Sequence, residues 1–209
     1  MTGPERITAL EPDPRRPGCI RVYADGQPYC TVPESVAAGL ALDRPLDPAL
    51  LARLDAAADA EAAFRSVVRA LERRAYARVD LGRRLVRRGH PREAVEAALD
   101  RAAAAGLVDD VRFTTHYVQT RAARGRGPAR IARDLMLLGL ARATIDRAIA
   151  DEWPPDTDRA AMPRALAARR AGQLGGLPRP VLRRRLLAYL ARRGFSGREA
   201  LDAVREVAG

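Results

Sequence analysis

Apolar residues of this 209-residue chain recur at helical spacing around three glycines. Leucine or isoleucine stands four and eight positions before Gly89, Gly139 and Gly194, and apolar residues stand six and ten positions after each. Positions four apart lie on one helix face, and a glycine after such a helix is typical of a left-handed cap. The pattern therefore predicts three helix–glycine–helix pairs. Their apolar positions are Leu81, Leu85, Val95 and Leu99, then Ile131, Leu135, Ile145 and Ile149, then Leu186, Leu190, Ala200 and Val204.

A further helical segment precedes each pair, at residues 62–76, 109–123 and 158–173. Asp109 and Asp110 can cap the second of these segments, and Ser196 with Glu199 predicts a capping box after Gly194. From residue 62 onward we therefore expect an elongated, curved array of three tandem three-helix repeats, mainly α in fold class. The predicted repeats span residues 62–106, 107–155 and 156–209.

Residues 1–61 follow a different pattern and form a predicted acidic N-terminal extension. Two apolar stretches, 19–23 and 27–32, flank Asp25-Gly26, which predicts a β-hairpin with a two-residue turn. Pro28 cannot donate a ladder hydrogen bond, so the second strand should lie at an edge. Short helices should follow, one of them starting at Asp47-Pro48.

The same turn places Cys30 opposite Arg21, so that Cys19 and Cys30 do not face each other. Both are therefore expected to be reduced thiols, as in most cytosolic proteins.

Composition supports the helical interpretation and adds a strong charge. The chain has 42 alanines, 24 leucines and 37 arginines, no lysine or asparagine, and only 4% aromatic residues. Alanine, leucine and arginine are strong helix formers. The formal charge of +11 is segregated, because residues 1–61 carry −4 and residues 62–209 carry +15. A concentrated surplus of cations favours a polyanionic partner.

Catalytic and metal-binding patterns do not stand out. Without lysine there can be no Walker-type phosphate loop, and His90 and His116 lie in different predicted repeats without metal-ligand spacing. We therefore expect no enzyme activity and no cofactor. No apolar run approaches the ~18 residues that span a membrane, and the start of the chain has no signal-peptide core. A cytoplasmic protein is expected.

Arginine clusters are the candidate binding residues. Residues 159–198 contain eleven arginines and no acidic residue. A solvated face normally mixes charges because like charges repel, so this run favours a bound anion. In the second repeat, Leu137 and Leu138 replace the arginines that precede Gly89, which predicts a more apolar contact there. The candidates are Arg83, Arg84, Arg87, Arg88, Arg124, Arg126, Arg130, Arg183, Arg184, Arg185, Arg192 and Arg193.

Two further interpretations are open. One is a generic basic helical DNA-binding array or transcription regulator, although the helices at residues 95–99 and 145–149 offer no evident base-reading set. Three phenylalanines and one tryptophan are also too few for a base-stacking platform. The other is a helical scaffold whose basicity reflects codon usage.

The second predicted repeat resembles a known family. Residues 106–121 read GLVDDVRFTTHYVQTR, and residues 127–140 read GPARIARDLMLLGL. These segments are similar to the bacterial RecX regulatory proteins, which modulate the RecA recombinase, and the resemblance covers about residues 62–209. Three positions depart from the family pattern. Ala77 replaces a usual serine, Thr114 a usual alanine, and Leu138 a usual basic residue.

The resemblance implies a protein that lies along the RecA nucleoprotein filament, restrains its ATPase, strand-exchange and coprotease activities, and favours filament disassembly. Recombinational DNA repair and the SOS response would be modulated in this way. The implied partners are the RecA filament and, through weak salt-dependent binding, single- and double-stranded DNA. A monomer is expected, and the twelve arginines become candidates for contact with DNA or RecA.

Overall fold

A computed structural model describes residues 5–209, which form three β-strands and ten helices. The mainly helical fold with a small sheet is thus confirmed. The chain divides into two compact units, an N-terminal unit ending at Val108 and a C-terminal unit, Asp109–Gly209. The strands are β1 Ile7–Pro12, β2 Cys19–Ala24 and β3 Gln27–Pro33. The helices are α1 Glu34–Ala37, α2 Pro48–Leu71, α3 Arg78–Arg87, α4 Arg92–Ala104, α5 Asp110–Ala123, α6 Pro128–Leu137, α7 Arg142–Glu152, α8 Ala161–Gly172, α9 Arg179–Arg193 and α10 Arg198–Ala208.

The three strands form one antiparallel sheet in the order β1-β2-β3. Asp25 and Gly26 both have positive φ, 48° and 77°, as a two-residue type I′ turn requires. The predicted hairpin and the edge position of β3 are confirmed. β1 was not predicted, because its sequence, ITALEP, does not alternate apolar and polar residues and Ile7 is its one buried residue.

Tyr29 is an extra residue in β3, and it corrects the predicted register. The pairing shifts between Val22 and Tyr23, so Cys30 lies opposite Val22 and not opposite Arg21. This bulge leaves Tyr29 without a cross-strand partner and lets its hydroxyl donate a 2.7 Å hydrogen bond to Asp55 of α2. This hydrogen bond links the sheet to α2.

Cys19 and Cys30 are free thiols, as predicted. Burial raises the pKa of both, for Cys30 to about 11. Each thiol is therefore protonated at neutral pH, and a protonated thiol is a poor nucleophile.

α2 is one 24-residue helix where the sequence predicted two. As predicted, Asp47 is its N-cap residue. The Asp47 side chain accepts a 2.7 Å hydrogen bond from the Leu50 N–H. Leu54 packs in the core beneath the sheet, while Val67 packs in the core formed with α3 and α4. Residues 55–62 are only alanine, aspartate and glutamate, so no glycine or proline stops the helix. The proposed boundary after residue 61 thus falls inside a helix.

The three helix–glycine–helix pairs form as predicted. Gly89, Gly139 and Gly194 have φ values of 94°, 88° and 93°, in the left-handed region. All of the predicted apolar positions are buried except Ile149, which is half-buried. Local signals therefore defined these caps and faces.

One predicted helix start is confirmed and another is wrong. The Asp109 carboxylate accepts 2.9 Å hydrogen bonds from the N–H groups two and three positions on, as an N-cap does. The capping box of Ser196 and Glu199 does not form, because Gly197, with φ of 90°, is the N-cap of α10 and no side chain caps it.

Candidate nucleic-acid interface

Two loops of the C-terminal unit meet backbone to backbone at Gly127 and Gly194, which we call the glycine joint. The Gly127 N–H donates to the Arg193 carbonyl oxygen at 2.8 Å, and the Ala129 N–H donates to the Gly194 carbonyl oxygen at 3.3 Å. A Cβ on Gly127 would collide with the Gly194 carbonyl, and a Cβ on Gly194 would collide with Arg130. Both positions therefore need glycine for close approach.

The glycine joint brings arginines from α5, its following loop and α9 into one cavity of about 410 Å³. We call this cavity the basic cleft. No carboxylate lines it, and none of its arginines forms an ion pair within residues 5–209. A concave site with one sign of charge concentrates positive potential. Its lining residues are Arg121, Arg124, Arg126, Tyr189, Arg192 and Arg193.

Neutral groups hold two of these guanidinium groups in place. Arg193 donates to the carbonyl oxygens of Arg124 and Gly125 at 3.3 and 3.4 Å, and its guanidinium carbon lies 5.1 Å from the centre of the Tyr189 ring. The Arg121 guanidinium lies 4.9 Å from the centre of the Tyr117 ring. Carbonyls and rings orient a guanidinium without cancelling its charge. The basic cleft is therefore partly organised before any anion binds.

A second cavity, which shares Arg124, Tyr189 and Arg193 with the basic cleft, adds Arg169 and Arg170. Arg170 lies 5.7 Å from the centre of the Tyr189 ring, so two guanidinium groups approach that ring. Together the two cavities offer seven arginines and no carboxylate. Arginine donates two parallel hydrogen bonds to phosphate oxygens, so this surface suits a phosphate chain.

The structure brings together four of the predicted arginines and separates others from them. Arg124, Arg126, Arg192 and Arg193 line the basic cleft. Arg130 lies on neighbouring α6, but its Nε is 2.9 Å from the Asp134 carboxylate. Three more lie exposed in the first half of α9 and line neither cavity, namely Arg183, Arg184 and Arg185.

The four candidates of the N-terminal unit lie on or after α3. Arg83 and Arg87 line a groove between α3 and α4. Arg84 pairs with Asp80 at 2.9 Å, and Arg88 is the exposed C-cap residue of α3. These residues are thus less concentrated than those of the basic cleft.

The run from residue 159 to residue 198 is partly compensated, contrary to the expectation of uncompensated charge. Arg164 pairs with Asp158 at 3.4 Å and with Glu206 at 3.2 Å, and Arg198 lies 3.6 Å from Asp202. The acidic partners stand just outside the run in sequence, so counting charges inside it missed them.

Sequence reasoning also missed Arg121, Arg169, Arg170 and Tyr189. Arg121 lies three positions before Arg124, the C-cap residue of α5, a spacing that places both on one helix face and could have indicated it. For the other three there was no local signal, because α8 and α9 are brought to the α5–α6 loop by tertiary packing.

The predicted apolar contact of the second repeat, Leu137 and Leu138, is only partly exposed. Leu137 is 71% exposed, whereas Leu138, the other leucine of the predicted contact, is half-buried. Among the described residues no group of three or more side chains could hold a metal ion. No described helix is long and apolar enough to cross a membrane.

The fold and the cleft define a class: mainly helical proteins of three-helix units with a basic, carboxylate-free cavity. Comparison with known proteins narrows this class. A family model described as the second three-helix domain of RecX matches residues 109–149, and one for the third three-helix domain matches residues 163–204.

Whole proteins match over longer spans. The regulatory protein RecX of Halorhodospira halophila is 38% identical over 157 residues, which cover 74% of this chain and 91% of that protein. That of Xanthomonas oryzae pv. oryzae is 38% identical over 135 residues, 65% of this chain and 82% of the relative. The chain therefore belongs to the RecX family of regulatory proteins.

Solved structures agree on the fold. A crystal structure of a regulatory protein RecX superposes with a TM-score of 0.77 at 23% identity, covering 97% of this chain and 98% of the other. RecX from Lactobacillus salivarius gives a TM-score of 0.62 at 16% identity, covering 71% of this chain and 96% of that one.

Proposed function

We propose that this protein binds the RecA nucleoprotein filament and inhibits its ATPase, strand-exchange and coprotease activities. It thereby modulates recombinational DNA repair and the SOS response. Membership of the RecX family is the observation that carries this proposal. The protein acts in the cytoplasm as a monomer, by stoichiometric binding and not by catalysis.

The basic cleft supplies the contact with the DNA of the filament. Its guanidinium groups pair with backbone phosphates and release counterions, so binding is salt-dependent and indifferent to sequence. A protein that binds one filament state more tightly than another shifts the assembly equilibrium by that difference in affinity. Inhibition thus needs no chemical step.

The decisive experiment measures DNA-dependent ATP hydrolysis by RecA as this protein is added, at a salt concentration where it binds naked DNA weakly. We expect inhibition at or below one protein per RecA subunit. Inhibition that disappears with excess DNA would instead indicate the generic DNA-binding array. A complete lack of salt-dependent DNA affinity would indicate the helical scaffold.

The exposed arginines of α9 are tested separately. Changing Arg183, Arg184 and Arg185 together to Ala should weaken filament binding with little change in the free energy of unfolding. Unchanged inhibition of ATP hydrolysis would remove these three from the proposed surface, and the basic cleft would remain the candidate.

A further inference from the structure

An apolar pocket of about 350 Å³ lies beside the glycine joint. The residues just before Gly127 and Gly194 line the basic cleft, whereas the residues just after them line this pocket. The backbone hydrogen bonds of the glycine joint thus separate two cavities, one lined by arginines and the other lined mainly by apolar residues. The walls include Pro128, Ile149, Ala150, Trp153 and Phe195.

Phosphate contacts do not account for this pocket. Trp153 is the only tryptophan of the chain, and it is half-buried where it lines the pocket. Apolar and aromatic walls with a few charged groups are the usual form of a site that takes an apolar group. In protein interfaces such pockets hold the anchor residues that supply most of the affinity.

The lining of the pocket also includes two carboxylates and one guanidinium, in a unit that is otherwise strongly basic. Asp146 already accepts 2.8 Å hydrogen bonds from Arg142, and Arg159 donates to the Trp153 carbonyl oxygen at 2.8 Å. Glu199 is half-buried and forms no ion pair with any residue of the described chain. Glu199 is therefore the carboxylate of the pocket that is free to pair with a cation of a ligand.

We propose that the apolar pocket docks a bulky apolar side chain of a protein partner, beside a lysine or arginine of that partner that pairs with Glu199. The identity of this partner rests on the proposed function, which makes it the protein component of the filament. The two cavities beside the glycine joint then bind different components of the filament. The basic cleft binds phosphates, and the apolar pocket binds protein.

Filling the pocket tests its role in the filament. Ala150 is exposed and lines the pocket, so Ala150→Trp should obstruct it; Ala168→Trp makes the same change at an exposed position of α8 that lines none of the cavities described above. We expect Ala150→Trp to raise the concentration needed for half-inhibition of RecA ATP hydrolysis about tenfold, the loss of one anchor contact. Its DNA affinity and far-ultraviolet circular dichroism should stay unchanged, as both should in Ala168→Trp. Equal inhibition by the two variants would overturn the proposal.

A direct binding measurement does not depend on RecA. Trp153 reports on its own pocket, so its fluorescence is followed while acetyl-Gly-Phe-Arg-Gly-amide is added to the full chain. We expect a saturable change, weaker with Glu199→Gln and with a Phe-Glu peptide, and no change with an Ala-Arg peptide. No response to any peptide, or equal responses to all three, would overturn the proposal. If the peptide binds but the protein does not inhibit ATP hydrolysis by RecA, the proposed function is wrong and the assignment of the pocket stands.

Discussion

Several arginines of the N-terminal unit pair with carboxylates, whereas two arginines of the basic cleft, Arg121 and Arg193, lie near aromatic rings, and Arg193 also donates to carbonyl oxygens. Arg101 donates to the Glu61 carboxylate at 2.8 Å, and Arg84 pairs with Asp80 at 2.9 Å. In the cleft, Arg193 binds two carbonyl oxygens and lies near Tyr189. The same residue type is thus used in two ways.

The difference teaches that the partners of an arginine, more than the number of arginines, indicate its role. A carboxylate neutralises the guanidinium, so the pair serves the fold. A carbonyl or a ring leaves the positive charge available and only fixes its position. The basic cleft is therefore ready for phosphate, while arginines such as Arg101 are occupied. The glycine joint, which positions the basic cleft, should give the largest effect on substitution, and arginine substitutions in both units test the contrast itself.

The glycine joint should be the most sensitive point of the C-terminal unit. Gly89 and Gly194 both have positive φ, but only at Gly194 would a Cβ collide with a neighbour. Gly89→Ala should lower the free energy of unfolding by about 1 kcal/mol, the cost of left-handed backbone. Gly194→Ala should lower it by about 3 kcal/mol, because the collision with Arg130 is added. Urea denaturation measures both, and equal losses would show that close approach at the joint is unimportant.

The Arg101–Glu61 pair should matter for stability and not for binding. Glu61 is 6% exposed, and the Arg101 guanidinium also lies 3.8 Å from the centre of the Phe64 ring. Arg101→Ala leaves a buried carboxylate without its ion-pair partner and should lower the free energy of unfolding by about 2 kcal/mol. Arg142→Ala, which breaks the exposed pair with Asp146, should cost less than about 1 kcal/mol. A loss of DNA affinity in Arg101→Ala would contradict the contrast.

The cleft arginines should control DNA binding without controlling stability. Arg124→Gln with Arg192→Gln removes two charges of the basic cleft; Arg142→Gln with Arg198→Gln removes two exposed charges that pair with carboxylates. The first variant should bind duplex DNA about tenfold more weakly. The slope of its log affinity against log salt concentration should become less negative by about 1.8.

The second variant should differ little from the parent chain in fluorescence-anisotropy titrations over a salt series. Both variants lose the same net charge, so a common change in affinity would mean that total charge alone governs binding. In that case the basic cleft would not be a distinct DNA-binding site.

How far the sequence predicted this fold depended on the range of each interaction. The caps at Gly89, Gly139 and Gly194 and the turn at Asp25-Gly26 were found, because each is specified within a few residues. The strand β1 and the bulge at Tyr29 were not, because β1 has no alternating pattern and its Ile7 forms backbone hydrogen bonds with residues 43 and 44, while the Tyr29 hydroxyl binds Asp55 of α2.

The candidate site shows the same division. Arg124, Arg126, Arg192 and Arg193 were named from local clusters of charge, and the structure places them around one cavity. The contribution of Tyr189 and the pairing of Arg164 with Glu206 required helices that are distant in sequence to meet. Domain bounds, DNA contacts and filament contacts stay predictions.

By itself, the sequence determined the helical repeats, their glycine caps, their buried faces and the excess of arginine. These follow from spacing and composition, which act over one or two helix turns. Only the tertiary structure decided which arginines keep their charge available, and that the glycine joint has a basic cleft on one side and an apolar pocket on the other. The physical reason is that the groups within about 4 Å of a guanidinium decide whether its charge is neutralised. Chain packing brings those groups together whatever their separation in sequence.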